Sequence, residues 1–176
     1  MSTQQATPTY EQMMALFLEN REQIKEISQT VGNLGNRMGK IFEKLLGEGH
    51  LVAQFRELGY NVKAHSQNKV FGEEGTADSG EIDLLLEDGD IAILVESKTT
   101  LSMDDVIKHI SRIEKYRHFE NSDGKRGKRY IGAVAGTVIA ENVINFAYEN
   151  GLYVIIQSAR AVEIMTPPKG FKAKEW

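Results

Sequence analysis

The chain has 176 residues, a formal net charge of −4 and no cysteine. Its length fits one domain with a sizeable core, and the lack of cysteine excludes disulfides and thiolate metal sites. No apolar run approaches the roughly 18–20 residues that a membrane span needs. The first residues also lack a basic region followed by an apolar core, so we expect a cytoplasmic protein with no signal peptide and no membrane partner.

The first long pattern in the chain predicts a coiled-coil helix. Apolar residues follow heptad a and d positions from Tyr10 onward, and Asn20 is a polar residue within the stripe. Glycines within residues 32–35 predict a break, so we expect a helical arm over residues 1–31 that pairs with a second copy to form a homodimer. The alternative is that this helix folds back on its own domain. The stripe consists of Tyr10, Met13, Phe17, Asn20, Ile24, Ile27, Val31, Leu34, Met38, Ile41 and Leu45.

Residues 32–176 are predicted to form one domain of mixed strands and helices. Gly59 and Gly151 are natural ends for two helices, and Ser102 is a natural N-cap for another. The element order predicts an α/β fold, a mixed central sheet with helices on both faces. The expected elements are a helix over 36–58, a strand over 61–65, a loop over 67–79, two strands within 80–98, a helix over 103–120, a basic loop over 121–128, a strand over 130–138, a helix over 140–150, a strand over 152–158 and a short strand over 162–165.

Residues 80–98 carry the strongest functional signal. They form two apolar strands joined by an Asp88-Gly89 turn, a pair that favours a short primed hairpin. Ile82, Leu84 and Leu86 are predicted to share one face of the first strand, with Asp83 on the other. Glu96 and Lys98 share one face of the second strand, and a two-residue turn brings Asp83 opposite or diagonal to Glu96.

Three charges converging within apolar strands predict a metal site with a lysine beside it. Burying an unpaired carboxylate in a protein interior costs several kcal/mol of desolvation energy. Carboxylate oxygens suit Mg²⁺ or Mn²⁺. The alternative for Asp83 and Lys98 is a structural ion pair at a strand end. The histidines His50, His65 and His118 are isolated in the sequence, so we do not expect a histidine metal site.

With these residues in place, the chain resembles the PD-(D/E)XK nuclease superfamily, which has the restriction-endonuclease-like fold. The resemblance lies in the element order, Asp83 on one strand, and Glu96 and Lys98 near the end of the next, although the proline of the superfamily's name is absent before Asp83. More narrowly, the chain is similar to an uncharacterised bacterial family whose members commonly carry a coiled-coil arm. That similarity covers residues 32–37, 81–83, 132–136, 151–158 and the closing Pro-Pro to Trp176.

The resemblance implies roles for four residues. Asp83 and Glu96 would bind Mg²⁺ or Mn²⁺, and Lys98 would orient or activate the attacking water. Glu43, on the helix before the sheet, matches an acidic position that the superfamily often has, and would be a further catalytic and metal-binding residue. A second metal ion would use Glu43 or Glu81.

Basic residues near this motif are predicted to contact nucleic acid, which we expect to be DNA. One group recurs at helical spacing and another lies in the basic loop, while Gln157 ends an apolar strand. The alternative is a solvated helix face for the first group and a backbone-satisfying role for Gln157. The candidates are Lys108, Arg112, Lys115, Lys125, Arg126, Lys128, Arg129 and Gln157.

Two functions follow from these residues and the resemblance. The first is a divalent-metal-dependent endonuclease that hydrolyses phosphodiester bonds of DNA. The second is a catalytically inactive nuclease-fold module that binds nucleic acid or assembles a complex. The intact set of Asp83, Glu96 and Lys98 favours the first.

Overall fold

A computed structural model describes residues 9–47, 50–73, 75–76, 78–124, 127–157 and 162–176, with the backbone alone described over 30–47. The chain forms two compact units, Met1–Met38 and Gly39–Trp176. No helix in the described ranges is long and apolar enough to cross a membrane.

Helix α1 (Tyr10–Gly47) is longer than the sequence predicts. The expected break within residues 32–35 is wrong, because the backbone there is helical. A glycine inside a helix costs about 1 kcal/mol relative to alanine, which weakens a helix without ending it, and this stretch contains no proline. Apolar side chains of the predicted stripe are exposed, among them Phe17 at 71% and Ile24 at 64%.

The described elements after α1 are six strands and three helices. The predicted helix over 36–58 corresponds to the end of α1 and to α2. Strand β1 begins later than predicted and takes in part of the expected loop, because its side chains are polar and mostly exposed. The elements are α2 (His50–Glu57), β1 (Ala64–Phe71), β2 (Gly80–Asp88), β3 (Ile91–Leu101), α3 (Met103–Ser122), β4 (Arg129–Ile139), α4 (Glu141–Glu149), β5 (Tyr153–Gln157) and β6 (Val162–Ile164).

The strands form one sheet in chain order, β1-β2-β3-β4-β5-β6. Strands β1 to β3 form an antiparallel meander, and β5 pairs antiparallel with β6. Strands β3, β4 and β5 are parallel to one another, with α3 and α4 as the crossovers. The predicted α/β class with a mixed central sheet is therefore confirmed.

Two apolar clusters cover the two faces of this sheet. On one face, Leu51 and Phe55 of α2 pack with Leu86 of β2. On the other, Val106 and Ile113 of α3 and Val143 of α4 pack with strand residues that include Leu85 and Leu94. Strands β3 and β4 lie at the centre and are mostly buried, so a charged side chain on them needs partners within the protein.

The side-chain alternation of β2 breaks at Asp83. Ile82 packs in the cluster on the α3 face, whereas Leu84 and Leu86 pack in the cluster on the α2 face. The expected single face for these three residues is therefore wrong. On β1, Asn68 adopts a left-handed φ of 50° between the paired positions Gln67↔Leu84 and Lys69↔Ile82, so a local distortion of the ladder accompanies the break.

Close packing of α3 on the sheet requires Gly132 of β4. A Cβ at this position would lie 2.7 Å from Ile113 Cδ1 and 2.9 Å from Leu152 Cδ2, both fully buried. Contacts this short force the neighbours to move. The glycine therefore sets how closely α3 approaches β4.

We expect Gly132→Ala to destabilise the protein by about 1–3 kcal/mol, because the added methyl overpacks the core beneath α3. Urea unfolding gives the free energy of unfolding. Glu114→Ala, at an exposed position of the same helix, is the control and should change it by less than about 0.5 kcal/mol. Equal stability of the wild type and Gly132→Ala would contradict this packing argument.

Candidate active site

A two-residue hairpin loop brings the predicted acidic residues together. Asp88 pairs with Ile91, so the loop consists of Gly89 and Asp90, and Gly89 has φ of 54°. The turn is short, as predicted, but it lies one residue later in the chain than the predicted Asp88-Gly89. At its far end, the ladder between β2 and β3 pairs Leu84 with Val95, so Asp83 lies beside the start of the Glu96–Lys98 segment.

Asp83 is fixed to the backbone of the neighbouring strand. Its Oδ2 accepts a hydrogen bond from the Ser97 N–H at 2.7 Å. The half-buried Asp83 carboxylate is thus held at the residue that follows Glu96. No ion pair between Asp83 and Lys98 is seen among the described side chains, whereas Lys98 pairs with Glu96.

Glu96 is the buried centre of the site, with 3% of its surface exposed. Its Oε1 lies 2.9 Å from Lys98 Nζ, and its Oε2 accepts a hydrogen bond from Arg112 Nη1 of α3. Two cations therefore compensate the carboxylate, which burial alone would strongly destabilise. Lys98 has 43% of its side chain exposed and Arg112 has 26%, so both reach from the buried carboxylate toward solvent.

His109 lies against the same carboxylate and was missed as a site residue by the sequence analysis. It is 1% exposed, and its Nε2 lies 3.1 Å from the Leu94 carbonyl oxygen. Its Nδ1 lies 4.0 Å from Glu96 Oε2. The sequence does contain an indication of this position, because His109 and Arg112 are three residues apart and so share one face of α3.

Burial lowers the pKa of His109 from 6.5 to about 4, against the opposing effect of hydrogen bonds to backbone carbonyls. The imidazole is therefore neutral at neutral pH. A neutral ring that donates Nε2–H to Leu94 carries its lone pair on Nδ1, the atom that faces Glu96.

An open groove runs beside this cluster, with a volume of about 300 Å³. Arg112 belongs to both features, because it lines the groove and contacts Glu96. Gly80 makes room for the Phe71 ring of β1, since a Cβ at position 80 would lie 2.8 Å from that ring, while Arg112 Cγ would be at an ordinary contact distance of 3.7 Å. The groove is lined by Ser79, Gly80, Glu81, Lys108, Ser111, Arg112 and Lys115.

Two other predicted nucleic-acid residues, Lys128 and Arg129, have ion-pair partners inside the protein. Lys128 Nζ lies 2.6 Å from Glu87 Oε1 and is mostly buried. Arg129 pairs with Asp90 at 3.0 Å and with Glu175 at 3.2 Å. The burial of Lys128 favours a structural role for it, whereas both ion pairs of Arg129 are exposed.

Gln157 Oε1 accepts a hydrogen bond from Thr137 Oγ1 at 3.0 Å. Lys125 and Arg126 lie outside the described residues, and so does the side chain of Glu43. The predicted roles of these residues stay predictions.

The residues present fit a hard divalent cation in part. Asp83 and Glu96 supply carboxylate oxygens on adjacent strands, and Mg²⁺ commonly binds through one or two carboxylates while it keeps several waters. Within the described ranges, no three His, Asp or Glu side chains are grouped as a metal site. Both oxygens of Glu96 also contact cations.

No protein-family model matches the chain, and no curated protein matches it. Solved structures show weak similarity. A protein of unknown function is 18% identical with a TM-score of 0.41, over 73% of this chain and 62% of that one. EndoMS, in a complex with dsDNA, is 17% identical with a TM-score of 0.36, over 66% of this chain and 45% of that one.

A repair endonuclease from Pyrococcus abyssi is 14% identical with a TM-score of 0.36, over 66% of this chain and 47% of that one. This chain thus spans less than two thirds of the length of each of these three proteins. At this level of similarity, the three structures establish neither an activity nor a substrate for this chain.

The buried His109 predicts a pH dependence of stability. Its pKa is lower in the folded protein than in the unfolded chain, so the unfolded chain binds one more proton between pH 6.5 and about 4. We therefore expect protonation of His109 to lower the free energy of unfolding by about 3 kcal/mol as the pH falls through this window. Above this window, His109 should leave the free energy of unfolding unchanged.

Urea unfolding in EDTA across this range measures the effect. The control is His109→Gln. Its free energy of unfolding should fall less steeply with decreasing pH than that of the wild type, and the two slopes should differ by about 1.4 kcal/mol per pH unit. Parallel pH profiles for the two proteins would show that the imidazole is not held neutral by the fold.

Proposed function

We propose that this chain is a divalent-metal-dependent nuclease of the PD-(D/E)XK type that hydrolyses phosphodiester bonds of DNA. The observation that carries the proposal is the placement of Asp83, Glu96 and Lys98 at neighbouring positions of β2 and β3. Glu96 is buried in the central sheet at a cost that an apolar residue would avoid, which favours a functional reason for the carboxylate. The mixed sheet with helices on both faces is the architecture that the resemblance implies.

In this proposal, Asp83 and Glu96 hold Mg²⁺ or Mn²⁺, and Glu43 remains a candidate further ligand. A bound ion would polarise the scissile phosphate and lower the pKa of a coordinated water. The hydrogen bond from Ser97 N–H fixes the Asp83 carboxylate, so less conformational freedom is lost on binding.

Lys98 has a distinct role, because its ammonium contacts Glu96 and is partly exposed to solvent. From this position it would orient the attacking water and stabilise negative charge that develops on the phosphate. Neither Asp83 nor Glu96 carries a positive charge for that purpose.

The proposed DNA contact is the groove along α3. Lys108, Arg112 and Lys115 bring three cations to one face of the helix beside the carboxylates. Lys108 Nζ lies 2.6 Å from Asp104 Oδ2 in an exposed pair, which salt or a phosphate can readily replace. The ion pair of the mostly buried Lys128 favours a structural role for this residue. Arg129 stays a candidate contact, because its pairs with Asp90 and Glu175 are exposed.

The second candidate function is a catalytically inactive module with the same fold. One observation favours it: both oxygens of Glu96 contact cations, an arrangement that stabilises the carboxylate without any metal ion. In such a module, the groove would bind nucleic acid or a protein partner with no chemistry at Glu96.

Lys98→Ala separates the two candidates. Under the nuclease proposal, cleavage of linear, supercoiled or single-stranded DNA in Mg²⁺ or Mn²⁺ falls by at least about 100-fold, because one charge-stabilising group is lost. DNA binding in EDTA should change little. Both proteins are assayed well below their melting temperatures, because Lys98 helps to compensate the buried Glu96 carboxylate.

The matched control is Lys172→Ala, an exposed lysine outside the site, which should cleave like the wild type. No cleavage by the wild type, or equal cleavage by the wild type and Lys98→Ala, would contradict the nuclease proposal and favour the inactive module.

The proposal also includes a homodimer formed through the first helix. Large apolar side chains at heptad positions are exposed on α1, and a stripe of this size on a helix is typical of an interface. Asn20 is placed where a second copy of the same helix would pair it with itself, as a polar core residue in a parallel coiled coil does. The exposed stripe side chains include Tyr10, Met13, Phe17, Ile24 and Ile27.

The double substitution Phe17→Glu with Ile24→Glu should lower the molar mass measured by light scattering toward that of one chain. Charges at two a positions would be buried and would repel their copies across the seam. The control is Ala15→Glu with Gln29→Glu, which adds the same charges at heptad positions opposite the seam. An unchanged mass for both variants would contradict assembly through this stripe.

A further inference from the structure

Arg112 links two sites that the proposed function keeps apart. Its guanidinium donates to Glu96 Oε2, and the same side chain lines the groove with Lys108 and Lys115. The groove is therefore lined by one of the two residues that neutralise the buried carboxylate.

The described state leaves little of Glu96 for a metal ion. Oε1 lies 2.9 Å from Lys98 Nζ, and Oε2 is held by Arg112. At 3% exposure, the carboxylate has almost no contact with water that could be exchanged for a metal ion. A divalent cation at Glu96 would also lie close to a guanidinium of the same sign, so Arg112 and the metal ion compete for one oxygen.

A phosphate in the groove would resolve this competition. The guanidinium has five N–H donors in a planar fork that matches a phosphate bidentately. Arg112 is 26% exposed, so it reaches the groove without crossing the core. Lys98 would stay on Oε1, and Glu96 would keep one compensating charge while Oε2 becomes available.

We propose that Arg112 couples binding of a DNA phosphate in the groove to binding of the metal ion at Glu96, by leaving the carboxylate for the phosphate. This inference rests on the proposed function, since it assumes that Asp83 and Glu96 are the metal ligands. Without DNA, the protein binds the metal ion weakly. With DNA in the groove, the two ligands strengthen each other's binding by the same factor.

The first test measures Mn²⁺ binding alone, by titration calorimetry on the full chain. Arg112→Gln should bind Mn²⁺ more tightly than the wild type, by about 5- to 100-fold, which is the usual range of coupling between two sites. Lys115→Gln is the matched control, because it removes a cation from the same helix and groove but not from Glu96. Its affinity should stay within about twofold of the wild type.

Two further variants locate and check the effect. Asp83→Asn combined with Arg112→Gln should lose the gain in affinity, which places the ion at the two carboxylates. Arg112→Lys keeps a positive charge and should return the affinity toward the wild-type value.

The second test begins with the wild type alone, and this part does not depend on how an Arg112 variant folds. A short DNA duplex should raise the Mn²⁺ affinity of the wild type, with the integrity of the duplex checked on a denaturing gel. In Arg112→Gln, the duplex should raise the Mn²⁺ affinity much less, because the coupling residue is gone.

Equal Mn²⁺ affinity in the wild type and Arg112→Gln overturns the proposal, and so does an absence of Mn²⁺ binding in every variant. If the wild type cleaves DNA while these affinities are equal, the coupling fails and the nuclease function stands. If the affinities shift as expected but the wild type does not cleave DNA, the coupling stands and the nuclease function fails.

Discussion

The buried carboxylate of Glu96 is the constraint on which the rest of the site depends. A charge at the centre of a sheet is tolerated only when partners offset its loss of hydration. Here the compensating partners are two cations, Lys98 from two residues away on the same strand and Arg112 from the next helix. The position of α3 is therefore constrained, because the helix face that carries Arg112 must meet β3 at Glu96.

The sheet supplies this placement. Strand β3 pairs antiparallel with β2 through a two-residue loop and parallel with β4, so it takes part in both halves of the mixed sheet. The crossover that the parallel pair requires is α3 itself. Gly132 on β4 lets Ile113 of that helix reach the sheet, one turn beyond His109. The connection that completes the fold thus also brings the cations to the carboxylate.

The two acidic residues are held in different ways. Asp83 lies where β2 departs from regular alternation, and a backbone N–H holds its carboxylate. Glu96 lies on a regular, buried strand and is held by cations. A carboxylate held by a neutral N–H donor stays in place when the charges around it change. A carboxylate held by a guanidinium can lose that partner when a nearby anion attracts the guanidinium. This difference is why the proposed coupling assigns movement to Arg112 and a fixed position to Asp83.

Local patterns in the sequence determined the element order, the tight hairpin and the proximity of Asp83, Glu96 and Lys98. Turn chemistry and strand alternation act over a few residues, so these features could be predicted. The same rules failed at three places: the continuous α1, the polar strand β1, and the face of Ile82. For α1 and β1, a local preference was too weak to decide, because two glycines without a proline do not end a helix and an edge strand needs no apolar face.

Only the tertiary structure decided what neutralises Glu96. The sequence showed Arg112 as one cation in a helical stripe and gave His109 no role. Which side of α3 meets the sheet depends on packing between residues far apart in the chain, such as Ile113 against Gly132 and Leu152. That packing turns His109 and Arg112 toward the carboxylate and leaves Lys108 exposed, a choice that no local pattern contains.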